Sequence, residues 1–144
     1  MSQYLIIGYG NTLRGDDGVG VRVAETIATQ QWPAVQVLAV HQLTPELAEN
    51  IASAKGVIFV DAVPSDAATV EVQPLQPIEI EETLGHTGDP RAILSLVKVL
   101  YGCCPAAWWV LIPGRNFEFG EELSPVTEKC LQEAISIIKK FTIN

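Results

Sequence analysis

Apolar residues recur along this chain with two distinct periods. Three runs, Tyr4 to Gly8, Val35 to Val40 and Gly56 to Asp61, are close to continuously apolar, as parallel strands covered on both faces require. Val70-Glu71-Val72-Gln73-Pro74 alternates and then meets Pro77, a pattern that suits an edge strand. Trp108-Trp109-Val110-Leu111-Ile112 is the fifth run, stopped by Pro113-Gly114. Trp108 and Trp109 occupy consecutive strand positions, so they face opposite sides and read as packing.

Between these runs the period lengthens to that of a helix. Val19, Val23, Ala24, Ile27 and Ala28 line one stripe, Ile93, Leu94, Leu96, Val97 and Leu100 a second, and Val126, Leu131, Ala134, Ile135 and Ile138 a third. Thr44-Pro45, Asp89-Pro90 and Ser124-Pro125 each set a capping residue before a proline, the usual start of a helix. Gly102 closes the second stripe, and Lys139-Lys140 end the third where the helix dipole favours cations.

Strands alternating with helices predict an α/β fold: a three-layer αβα sandwich on a five-stranded, mostly parallel sheet, with one edge strand free to run antiparallel. Right-handed crossovers set the first and third strands side by side and the second on the outer flank of the first. One domain, residues 1–144, accommodates all of this. Residues 76–88 form an acidic stretch too long to be an idle connection.

The densest stretch is Ile6-Ile7-Gly8-Tyr9-Gly10-Asn11-Thr12-Leu13-Arg14-Gly15-Asp16-Asp17-Gly18-Val19-Gly20. It leads from a strand through a glycine-rich turn to two aspartates at a helix start, where one carboxylate can cap the helix and leave the other for chemistry. It is not a dinucleotide fingerprint: the third glycine would fall at Leu13, and the next strand ends in Val40-His41 without an acidic residue.

Composition narrows the remaining choices. A net charge of −8 argues against a nucleic-acid partner. No apolar run has the length of a membrane span, and Met1-Ser2-Gln3-Tyr4 is not a signal-peptide start, so a cytoplasmic protein, without membrane contact and monomeric, is expected. Cys103, Cys104 and Cys130 read as reduced thiols, because adjacent cysteines pair poorly and no zinc-type spacing is present.

In open α/β sheets, ligands gather beyond the carboxyl ends of the strands. Asp17 follows the first strand, Asp61 ends the third, and His86 lies on the loop before the second stripe. Two carboxylates and an imidazole make a ligand set for nickel, zinc or cadmium with coordination positions left open. Each residue also has a plainer reading: Asp17 as a second helix cap, Asp61 as the cap of a turn, His86 as a solvated loop histidine. Familiar hydrolase designs are missing. Asp16 and Asp17 are adjacent and cannot share a proton as a dyad, no Gly-x-Ser-x-Gly elbow occurs, and neither histidine belongs to a His-Glu-x-x-His pair.

The first motif closely resembles the opening of the hydrogenase maturation proteases, Gly-x-Gly-Asn followed by Leu-x-x-Asp-Asp/Glu-x-x-Gly. Strand, Asn11, Leu13, the acidic pair and Gly20 recur in register. The resemblance implies an aspartic-type endopeptidase that removes the C-terminal extension of the large-subunit precursor of a nickel–iron hydrogenase after nickel insertion. It places metal binding on Asp17, Asp61 and His86, and catalysis on Asp17 and Asp61, with the nickel supplied by the precursor. A non-catalytic nickel-binding chaperone with the same ligands is the alternative. Many relatives carry Asp-Gly-Gly-Thr after the second strand; here His41-Gln42-Leu43 stands instead. That variant resembles the subgroup serving bidirectional, NAD-linked hydrogenases and makes the three residues candidates for substrate selection.

Overall fold

The computed structural model describes residues 3–79 and 88–143. Its strands are β1 (Tyr4–Tyr9), β2 (Val35–Val40), β3 (Gly56–Pro64), β4 (Glu71–Leu75) and β5 (Ala106–Gly114). Its α-helices are α1 (Val19–Gln30), α2 (Leu47–Ala52), α3 (Pro90–Tyr101) and α4 (Pro125–Thr142). The sheet order is β2-β1-β3-β5-β4, parallel throughout except for β4, which runs antiparallel along β5 at the edge.

The two-residue period of the strands sorts their side chains into two cores. Ile6, Ile58, Val60, Val110 and Ile112 point to one face and meet Val19, Val23 and Ile27 of α1 and Leu131, Ala134, Ile135 and Ile138 of α4. Leu5, Ile7, Tyr9, Val57, Phe59 and Ala107 point to the other and meet Leu47, Ala48 and Ile51 of α2 and Ile93, Leu94 and Val97 of α3. The predicted three layers are therefore present. Among the described residues, no helix is long and apolar enough to cross a membrane.

Several local expectations are corrected. β3 does not end at Asp61 but continues to Pro64, because Asp61 to Pro64 still pair with Leu111 to Gly114 of β5. β5 likewise runs through Pro113, whose carbonyl accepts the Thr127 hydroxyl at 2.9 Å. What does stop near Asp61 is β1, whose last pairing with β3 is Gly8 with Val60. Asp61 thus stands at a rim made by the end of its neighbour. α2 begins at Leu47, with the Thr44 and Pro45 carbonyls accepting from Leu47 and Ala48 in a preceding turn. Asp89 caps α3 as expected, accepting from the Arg91 N–H at 2.9 Å. Ala28 and Leu100 are exposed at the margins of their stripes.

Two glycines bring α1 onto the sheet. A Cβ at Gly8 would lie 2.0 Å from the Gly20 carbonyl oxygen, and one at Gly20 would lie 2.3 Å from that of Val60. The helix start therefore rests on the ends of β1 and β3 at backbone distance, which any side chain would prevent.

Gly8→Ala should for this reason cost about 3 kcal/mol or more in urea unfolding, as overpacking against backbone cannot relax. Gly120→Ala, with φ of +149° but nothing within 4 Å, should cost only its backbone strain, on the order of 1 kcal/mol. Equal costs at the two sites would contradict the close approach.

Candidate active site

The glycine-rich loop does not feed directly into α1. A single 3₁₀ turn, Gly15–Gly18, intervenes and carries both aspartates. Gly10 enters the loop at φ +141°, where a Cβ would lie 2.1 Å from the Asp17 carbonyl oxygen. The Asn11 side chain accepts from the Leu13 N–H at 2.9 Å, folding the chain back on itself. Backbone bonds then tie the loop across to residues 116–120: Gly15 N–H to Gly120 O at 2.7 Å, Asp16 N–H to Asn116 O at 2.8 Å, and Gly120 N–H to Leu13 O at 2.8 Å.

Asp16 and Asp17 have different surroundings. Asp16 is fully buried. Its carboxylate accepts from the Arg115 N–H at 2.7 Å, the Asn116 N–H at 3.0 Å, and both the N–H and the hydroxyl of Ser124 at 2.7 Å. Burial alone would raise its pKa. The Asn116 and Arg115 N–H groups and the Ser124 hydroxyl and N–H overcome that and lower it from 3.8 to about 2. The expected cap of α1 is not made: the Asp16 carboxylate turns to the segment that leads into α4. Ser124, predicted to cap α4 with its own side chain, gives its hydroxyl to Asp16 and makes no such bond. Asp17 is only half-buried, and its Oδ2 accepts from the Asn11 N–H at 2.8 Å.

Asp61 belongs to the same rim. Its Oδ1 accepts from the Ala62 N–H at 2.8 Å, and the Tyr9 hydroxyl is among the groups that act electrostatically on its carboxylate. Burial, assisted by the charge of Asp17, raises its pKa from 3.8 to about 6 against the opposing Ala62 N–H and Tyr9 hydroxyl. Among the described residues neither Asp17 nor Asp61 has a cation within ion-pair distance. Two electrostatically coupled carboxylates with no counter-charge among the described residues form a locus that a divalent ion would neutralise.

Tyr9 was not among the residues singled out from the sequence. Its hydroxyl accepts from Trp109 Nε1 at 3.1 Å, and burial, followed by the Asp61 charge, pushes its ionisation far above the usual tyrosine range. The strand register carried the missing signal. With Gly8 opposite Val60, Tyr9 and Asp61 fall side by side on one face.

His86 lies outside the described residues. His41 and Gln42 are exposed, and the carbonyls of Val40 and His41 accept from the Gly10 N–H, which puts this segment against the start of the first motif. Leu43 instead packs on the α2/α3 core, so it is less available to a partner than the other two. Among the described residues, no three His, Cys, Asp or Glu side chains form a complete metal site.

No family model and no curated protein matches the sequence. Solved structures match in fold. The NiFe hydrogenase maturation protease HycI from Thermococcus kodakarensis KOD1 aligns over 99% of this chain and 94% of its own, at 24% identity and a TM-score of 0.76. The hydrogenase maturating endopeptidase HybD from E. coli aligns over 96% and 91%, at 22% and 0.75. HybD from Thermococcus kodakarensis, also titled a NiFe hydrogenase maturation protease, aligns over 97% and 99%, at 23% and 0.73. The chain shares their fold from end to end.

The aspartates should separate in a stability assay. Asp16→Ala strands three backbone N–H groups and should cost about 3–5 kcal/mol. Because the folded pKa of Asp16 is lowered, its contribution is present above pH 4 and lost as pH falls from about 4 to about 2; Asp16→Asn should flatten that acid limb. Asp61 has the opposite sign. Its folded pKa is raised, so stability present below 3.8 is lost as pH rises through about 6. Asp61→Asn should therefore be more stable than wild type at pH 7.5, by up to about 3 kcal/mol and with a higher melting temperature, and lose that advantage below pH 4. Destabilisation by Asp61→Asn at pH 7.5 would assign Asp61 a structural role.

Proposed function

We propose that this chain is an endopeptidase that removes the C-terminal extension from the nickel-loaded large-subunit precursor of a NiFe hydrogenase. The observation that carries the reading is the electrostatic coupling of Asp17 and Asp61 at one strand rim, with no counter-cation among the described residues, on a fold shared with the maturation proteases. The fold alone would be a weak warrant, since folds host unrelated activities.

Asp17 and Asp61, with His86, would occupy the open coordination positions of the precursor's nickel. Holding the nickel fixes the scissile bond beside the aspartates and makes the attack of water a positioned event. Asp17 and Asp61 are the carboxylates available to accept the water proton. Zinc or cadmium would fit the same oxygen and nitrogen donors. The protein would act as a monomer in the cytoplasm, where the precursor is assembled.

The test is incubation of the purified nickel-loaded precursor with this protein, followed by intact mass. Loss of the C-terminal extension is expected, with Asp17→Asn and Asp61→Asn slower by at least about a thousandfold. His86→Ala should slow cleavage less severely. A stable complex with an unshortened precursor would identify a nickel-binding chaperone instead.

The second strand's loop would select among precursors, with His41-Gln42 favouring a bidirectional, NAD-linked enzyme. Because Leu43 is packed, the informative swap is His41→Asp with Gln42→Gly. The double variant should lose cleavage of the bidirectional precursor at least tenfold while its melting temperature holds. Unchanged rates on both bidirectional and uptake precursors would place selection elsewhere.

A further inference from the structure

Tyr9 is placed where an apolar side chain would serve the core equally well. It continues the Leu5, Ile7 stripe of β1, is buried, and packs with the α2/α3 core. A hydroxyl there is a burden unless it is fully hydrogen-bonded. Trp109 supplies one bond, and the Asp61 carboxylate, next to Tyr9 by strand register and acting on it electrostatically, is the neighbouring acceptor. Trp109 lies on β5, with β3 between it and β1. The 3.1 Å bond from Trp109 Nε1 to the Tyr9 oxygen therefore arches over β3. Phe59, paired with Ile7 on one side and Trp109 on the other, lies at the foot of that arch. Asp61 is the next residue of β3 on the same face, at the open side of the arch.

We propose that Tyr9 is a positioning residue for Asp61, held in its working orientation by Trp109. The indole N–H can only donate, so it takes a lone pair of the Tyr9 oxygen and leaves the single phenolic proton to be given to Asp61. The Ala62 N–H holds Oδ1 from the strand side at 2.8 Å. With the Tyr9 proton as a second donor, the plane of the carboxylate would be fixed from two sides. Partners of this kind orient a reacting or ligating group without touching the substrate, and losing one typically costs about 10- to 100-fold.

This inference rests on the assignment of Asp61 to the reacting site, and two readouts keep the two claims apart. The first is the crystal structure of Tyr9→Phe, which retains the ring and its packing. Asp61 should leave its wild-type rotamer or occupy more than one. The second is precursor cleavage. Tyr9→Phe should lower kcat about 10- to 100-fold with KM unchanged, Trp109→Phe less, and the double variant no more than Tyr9→Phe alone, since Trp109 acts through Tyr9. An undisplaced Asp61 in Tyr9→Phe overturns the proposal, whatever the activity. Additive losses in the double variant overturn the role of Trp109. If Asp61 moves while even the wild-type protein leaves the precursor intact, positioning stands and the protease reading falls.

Discussion

The buried carboxylate of Asp16 is the interaction on which the rest of this site depends. A charge with no solvent exposure is tolerable only when its lone pairs are taken by strong donors. Asp16 has four, from Arg115, Asn116 and Ser124. All four come from the segment joining β5 to α4, about a hundred residues away in the chain. The negative charge also sits at the start of α4, an 18-residue helix whose dipole favours it. One side chain therefore locks the first motif to the other end of the fold. Because Asp17 is the next residue on the same 3₁₀ turn, that lock also determines where Asp17 stands.

The glycines complete the restraint from the opposite side. With Gly8 and Gly20 at backbone distance, α1 cannot slide along β1, and the loop between them has one path. Asp17 is thereby delivered to a rim where β1 has ended and β3 continues, next to Asp61. Burying a carboxylate is unfavourable for folding, and the raised pKa of Asp61, caused first by burial and in lesser part by the Asp17 charge, records that. Proteins accept such local cost where a ligand relieves it. The aspartates thus divide the work: Asp16 stabilises the fold, while Asp61 weakens it in the absence of a cation.

Layer architecture and the order of the first three strands were legible from hydrophobic periods and crossover handedness; the insertion of β5 between β3 and β4 was not. The site was legible in part. Asp17 and Asp61 stood out because glycine-rich turns and strand ends are readable locally. The destination of the Asp16 carboxylate was not readable, because its partners are mostly backbone N–H groups, which leave no trace in residue identity. Ser124 misled for the same reason: beside Pro125 it has the form of a cap, but a charged acceptor outcompetes its own helix. The end of β3 was placed too early because Asp61 reads as a terminus, whereas pairing with β5 carries the strand on to Pro64. Tyr9 was hidden by its hydrophobic neighbours and becomes visible only once Gly8 is set opposite Val60.

The convergence of Asp17 and Asp61 on one ion is tested most directly by soaking crystals of the wild-type protein in zinc, as a stand-in for the precursor's nickel, and locating the metal from its anomalous signal. One ion bound by carboxylate oxygens of both residues at about 2.0–2.2 Å, with the His86 imidazole as a further ligand, is the predicted result. Zinc bound only elsewhere, with the two carboxylates more than about 8 Å apart, would contradict it.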